Sequence, residues 1–202
     1  ELMKRIDTPG WPMGRVRQLL TSAPRQLQTQ YLGVAAETLL KDQLPHLMEL
    51  VFALAPSEAT EVAKICLRRF PDHELLIQTI LKHTADPQFL PLARVSCQSL
   101  VPEARSEGLL ALGRLGSADE QARLIHHLNS DTWHNQQAAA QSLMQPINNA
   151  RSAEEISMQL SSESALLHWA ELLFEKGWLR NNDAAVWIPS ETTARTQVAF
   201  HG

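Results

Sequence analysis

Apolar residues recur along most of this chain at three- and four-residue spacing, and Pro, Gly and short polar residues punctuate them. From Arg25 to Lys41, Leu27, Tyr31, Val34, Ala35, Thr38 and Leu39 make one helical face. Leu44-Pro45 opens a second helix, on which Leu47, Met48, Val51, Phe52 and Ala55 align until Pro56 stops it. Ser57 is placed to cap a third, with Glu58 and Glu61 near its positive end. The stripe of that helix (Ala59, Val62, Ala63, Cys66, Leu67, Phe70) is the cleanest in the chain. Pro71-Asp72 turns into a fourth helix with Leu76, Ile77, Ile80 and Leu81. A fifth follows Asp86-Pro87 and carries Phe89, Leu92, Ala93, Cys97 and Leu100.

The clearest organisation lies in Pro102–Ser142, which reads as helix, turn, helix, turn, helix. Ala104, Gly108, Leu112 and Leu115 repeat along the first helix, and Gly116 sits where a C-terminus favours positive φ. Ser117-x-x-Glu120 reads as a capping box for the next helix, whose predicted inward stripe is Ala122, Ile125 and Leu128. Asn129-Ser130-Asp131 closes it and caps a third. Beyond Pro146, Ser152-x-x-Glu155 predicts a short capped helix through Leu160. Glu163–Lys176 then predicts a stronger one, ended by Gly177. The last stretch, Asn181–Gly202, has no helical period. Val186, Ile188, Val198 and Phe200 suit short extended pieces or a tail packed over the last helices.

Each predicted helix is too short to be stable alone and has one face to bury, so stacked neighbours must supply the rest. The expectation is an all-α chain of about nine or ten helices: an α-α superhelix, that is, an α-solenoid of short antiparallel helix pairs. Residues 1–24 form a basic lead-in broken by Thr8-Pro9-Gly10-Trp11-Pro12, residues 25–180 the repeat domain, and residues 181–202 a non-helical cap or tail.

The stretch Pro102–Ser142 resembles a HEAT repeat, of the short kind found in phycobilisome-lyase-type proteins. Ala104-Arg105, Leu109-Leu110-Ala111-Leu112-Gly113, Leu115-Gly116, Leu124 and Leu128 carry the resemblance. Asp131-x-Trp133-His134 and Ala138-Ala139 begin a second copy. It covers about forty residues firmly and implies a HEAT/armadillo-like solenoid whose members chiefly bind other macromolecules. No catalytic residue comes with it. Counting pairs from Arg25 makes 102–115 the second helix of a pair, whereas the HEAT pattern makes it the first, so the register is expected to break near residue 87 or to leave one helix unpaired. Leu67-Arg68-Arg69-Phe70-Pro71-Asp72 looks like the end of a tetratricopeptide repeat, the alternative solenoid.

Composition and charge narrow the function. Hydrophobic residues at 44% and charged ones at 20% describe an ordinary globular chain without a membrane-length apolar run. Two lone cysteines give neither a metal spacing nor a disulfide framework, which favours a reducing compartment, the cytoplasm. The sequence opens on Glu, as a fragment or processed product would, and an upstream signal or anchor is left open. Residues 1–25 carry five basic and two acidic residues, and the remainder thirteen and twenty. A nucleic-acid binder needs a basic stripe, but at net −4 the basic residues past Arg25 are scattered, so nucleic acid is a disfavoured partner.

The search for chemistry yields no expected catalytic residue, cofactor or metal site. His126, His127 and His134 with Asp131 superficially resemble a metal cluster, but adjacent helical histidines point about 100° apart. The expected function is a noncatalytic protein–protein interaction module, an adaptor or scaffold whose partner is another protein. Its alternatives are a nucleic-acid-binding HEAT-like protein, a tetratricopeptide-like peptide-binding adaptor and a lyase-type auxiliary subunit. Two partner-binding candidates stand out. One is the ridge Asp119, Arg123, His126 and His127, opposite the predicted stripe of its helix. The other is the C-terminal tryptophan group Trp169, Trp178 and Trp187, which reads first as a cap closing the end of the array and, as the sharper alternative, as a partner-binding aromatic cluster.

Overall fold

A computed structural model describes residues 13–116, 118–146, 150–178, 186–189 and 195–198. The described residues form eleven α-helices and one short β-hairpin. The helices are α1 (Met13–Ser22), α2 (Arg25–Thr38), α3 (Leu44–Leu54), α4 (Ala59–Arg69), α5 (Glu74–His83), α6 (Leu90–Ser96), α7 (Pro102–Leu115), α8 (Ala118–Ser130), α9 (Trp133–Met144), α10 (Ala150–Ser157) and α11 (Glu163–Glu175). The expected all-α architecture of packed helices is present. Helix α1 corrects the lead-in: its second half is helical, and the Pro/Gly break lies outside the described residues. The chain divides into two compact units, residues 1–92 and 93–202.

In the first unit α1 packs on α3, α2 on α4, and α3 on α5, so alternate helices share a layer. Large aliphatic side chains fill it: Leu32, Leu44, Leu47, Met48, Val51, Leu76, Ile80 and Leu81 are buried, with Ala63 and Cys66 between them. Side chains also stitch one helix pair to the next. Arg69 donates to the carbonyls of Ala36 (2.5 Å) and Leu39 (3.0 Å), closing the open C-terminal end of α2, and stacks over Phe70. His73 Nε2 lies 3.0 Å from the Lys41 carbonyl. Ser57, expected as a helix cap, instead receives a hydrogen bond from Arg25 Nη2 at 2.9 Å. A 3₁₀ turn, Pro56–Glu58, leads into α4 in its place. Asp86 does cap: its carboxylate accepts from the Gln88 N–H and from the Thr60 hydroxyl (2.6 Å), which hold its pKa below the usual range.

The second unit is centred on α9, which packs against α7, α8 and α11. Half of its buried residues are small, Ala138, Ala139, Ala140 and Ser142, beside Asn135, Gln136, Leu143 and Met144. The close approach has a readable cause. A Cβ on Gly113 of α7 would fall 2.7 Å from the Ser142 Cβ, and one on Gly108 would fall 2.7 Å from the Cys97 nitrogen. Ser142 Oγ, wholly buried, donates to the Ala138 or Leu109 carbonyl, each at 2.8 Å. Gly116 ends α7 but not by positive φ. Its φ is −79°, and the position excludes a side chain because a Cβ would collide with the Leu112 carbonyl and the Glu120 side chain. Gly177 is the true left-handed terminus, at φ +69°. Its N–H reaches the Phe174 carbonyl and the Trp178 N–H reaches Leu173, the Schellman arrangement.

Helix α10 spans Ala150–Ser157, so Ser152 lies inside it rather than at its cap. Ser162 caps α11, accepting from the Ala165 N–H. Beyond Trp178, Val186–Pro189 (β1) pairs antiparallel with Arg195–Val198 (β2), with Val186 opposite Val198, and β1 adjoins α11. Phe200, expected to join the extended pieces, lies outside the described residues. Among the described residues no helix is long and apolar enough to cross a membrane.

Candidate interaction surface

Helix α8 carries the first predicted ridge, and its burial departs from the expected stripe. Leu124, Ile125 and Leu128 face inward, but Ala122 is exposed and Glu120 takes the core position, only 2% exposed. A carboxylate survives there because cations meet it. Arg94 of α6 donates to Glu120 Oε1 from Nε (2.9 Å) and from Nη2, and Arg123 Nε lies 3.4 Å from Oε2. Periodicity alone misses this, because a glutamate reads as a surface residue. The signal available in the sequence was Arg123 three residues on, one helical turn away.

A second buried carboxylate ends the same helix. Asp131 accepts from Arg105 Nη1 (2.8 Å), the Thr132 N–H (2.8 Å) and Asn135 Nδ2 (3.0 Å), and its Oδ2 lies 3.0 Å from His127 Nδ1. Burial pushes its pKa up, but the hydrogen bonds of Asn135, Thr132, His127 and Arg105 outweigh this and hold the carboxyl below its usual range. Asp131 therefore links α7, α8 and α9.

These contacts divide the predicted ridge. Asp119 and His126 are exposed. Arg123 is exposed along its length, yet its guanidinium is tied to Glu120. His127 is half-buried and held by Asp131, so it belongs to the helix junction rather than to an open face. His134 is exposed at the start of α9.

The predicted tryptophan group also divides. Trp169, expected as a partner-binding residue, is 1% exposed and sits in the core of the second unit. Its indole N–H has the Ala153 carbonyl at 3.2 Å and Ser157 Oγ at 3.0 Å, so α11 is pinned to α10. Trp178 is half-buried just past α11. Trp187 lies on β1 opposite Gln197, and its side chain is outside the described residues.

Two exposed aromatics lie outside the predicted candidates, Phe174 on α11 and the larger Trp133. Trp133 is 55% exposed at the start of α9, with its ring 3.9 Å from that of His168 on α11. His168 itself is buried, and burial lowers its pKa against the opposing influence of Glu171 and the Trp133 backbone. A cleft of about 340 Å³ lies among α7, α8, α9 and α10, lined by Gly113, Gly116, Glu120, Leu124, Leu143 and Ile156. Both thiols are buried, and burial pushes them up, Cys66 to about 11 and Cys97 to about 12, so they stay protonated at neutral pH. Among the described residues no three His, Cys, Asp or Glu side chains converge as metal ligands would.

No family model, no curated protein and no solved structure matches this chain.

Proposed function

We propose that the chain is a noncatalytic protein–protein interaction module, an α-solenoid of HEAT-like helix pairs that offers an extended helical face to another protein. One observation carries the reading. Within each unit, side chains bond to positions 26 to 33 residues away: Thr60 to Asp86, Arg94 to Glu120 and Arg105 to Asp131 at 26, and Arg25 to Ser57, Arg69 to Ala36 and Leu39, Ser142 to Leu109, and Asn129 to Gln159 at 30 to 33. Helices two apart in the chain also begin 28 to 34 residues apart. A ladder with that spacing is what stacked repeats of one helix pair each produce. The period drifts, which accounts for the absence of a fixed repeat in the sequence. Two buried, protonated thiols fit a reducing, cytoplasmic setting.

The titratable groups support a structural role for the chemistry-bearing residues. Glu120 is engaged by Arg94 and Arg123, and Asp131 by Arg105 and His127; Arg94 and Arg105 make their contacts across helix junctions. The same pairing removes three arginines from any basic stripe, which weighs against nucleic acid as the partner.

Crosslinking of the chain to proteins captured from its source cell, mapped by mass spectrometry, tests the reading. Crosslinks spread over consecutive helices are expected. Salt-dependent retention on DNA without a protein partner would move the function to nucleic acid, and co-purification of a coloured tetrapyrrole would move it to the lyase-type alternative.

A further inference from the structure

We propose that the outward face of α11, together with Trp133, docks a basic amphipathic helix of the partner protein; this deepens the interaction-module reading and rests on it. α11 turns two apolar side chains outward, Leu167 (38% exposed) and Phe174 (53%). Seven residues is about two helical turns, so both lie on one face, and Glu171, four past one and three before the other, lies between them. Exposed Glu163, four residues before Leu167, extends the row at one end, and exposed Glu175 at the other. Trp133 joins from the side. Its indole lies against the buried His168 ring, whose Nδ1 is 3.8 Å from Glu171 Oε2, so the indole is fixed on its inner side and open outward. An aromatic anchor held by its own fold beside exposed apolar side chains is the composition of a binding hot spot. β1 adjoins α11, and Leu167 and Phe174 keep this exposure beside it.

Charge selects the occupant. The stretch Glu163–Glu175 holds three glutamates besides its apolar residues and no Lys or Arg. Residues 93–202 together carry eight basic and twelve acidic residues, so the whole net charge of −4 resides there. A helix with apolar residues at three- and four-residue spacing would cover Leu167, Phe174 and Trp133, and flanking Lys or Arg would meet the glutamates.

The probe is a fluorescently labelled Lys/Leu amphipathic peptide of about five helical turns, read by anisotropy against the full chain. Binding is expected, with Glu171→Lys/Glu175→Lys weakening it at least about tenfold and Phe174→Ser weakening it several-fold. Glu103→Lys/Glu154→Lys, an equal charge change elsewhere on exposed positions of the same unit, is expected to leave it within about threefold. All variants alter exposed side chains, and their melting temperatures should match the parent. Equal weakening by the second pair would reduce the effect to bulk attraction and overturn the proposal, as would equal binding of a scrambled peptide. Displacement of the probe by a peptide of residues 179–202 would assign the face to the chain's own end and overturn it too. A concentration-dependent dimer in sedimentation, abolished by the α11 changes, would do the same in favour of a second copy. A captured cellular partner whose binding none of these changes affects would overturn the α11 face while leaving the interaction-module reading standing.

Discussion

Residues 93–202 bury large apolar side chains as residues 1–92 do, and add two means of holding helices together that the first unit lacks among its described residues. The first unit fills the space between helices with leucine, isoleucine, methionine and valine, and its described glycines, Gly14 and Gly33, have nothing within 4 Å of where a Cβ would stand. The second brings helices together over Gly108, Gly113 and Gly116, where a Cβ would meet backbone or a neighbouring side chain under 3.0 Å away. It also buries two carboxylates, Glu120 and Asp131, inside cationic networks. A flexible side chain can give way at its far end when a neighbour grows, whereas backbone packed against a neighbouring helix has less room to move. The helices are thus held by bulk in the first unit, and in the second by bulk of the same kind (Leu109, Leu112, Leu128, Leu143 and Trp169) with close approach and buried charge added.

The largest test of that contrast is Trp169, which fills the α10–α11 junction. Trp169→Ala should cost about 3–5 kcal/mol and lower the melting temperature of the second unit's transition. If the junction collapses onto the gap, the loss will fall well below that range in chemical denaturation.

The glycines sharpen the comparison more directly. Gly108→Ala and Gly113→Ala should each destabilise by about 1–3 kcal/mol, because Ser96–Cys97 and Ser142 must shift. Gly33→Ala, in the middle of α2 with open space around it, should stabilise by up to about 1 kcal/mol. Equal signs in denaturant midpoints would erase the distinction between the units.

Acid should act on the second unit through two groups of opposite kind. Asp131 has a folded pKa below its unfolded value near 3.9, so its contribution is present above about pH 4 and lost as pH falls through the folded value. His168 is held neutral by burial, with its folded pKa below the unfolded value near 6.5. Its stabilising neutrality is complete above about pH 6.5 and is lost as acid protonates the unfolded chain first. Asp131→Asn should flatten the stability profile below about pH 4, and His168→Gln should flatten it between neutrality and the lower His168 value. A His168→Gln profile parallel to the parent through that window would show that the ring titrates normally.

The smallest effects separate members of the predicted α8 ridge. His126→Ala should stay within about 0.5 kcal/mol of the parent, as an exposed side chain outside the packing should. His127→Ala removes a partner of buried Asp131 and should cost about 1 kcal/mol. Identical melting curves would place His127 back on the open face that its spacing suggested.

Local chemistry determined much of the chain from sequence alone. Pro45, Asp86, Ser162 and Gly177 start or stop helices through a missing N–H, a side-chain acceptor or a tolerated positive φ, and each acts on its own few residues. The stripe of α4 was legible because Ala59, Val62, Ala63 and Cys66 all face one neighbour layer. The all-helical class followed from such runs. Burial of Glu120 depended on Arg94 arriving from α6, and that of Asp131 on Arg105 arriving from α7, which no window of one helix contains; Arg123 and His127 are local partners whose use only that burial decided. Trp169 and Trp133 show the limit most plainly. Both are tryptophans on or beside helices, yet one is sealed between α10 and α11 and the other stands open against His168. An indole is large enough to serve either place, so only the packing of neighbouring helices decided which one is buried and which stands exposed.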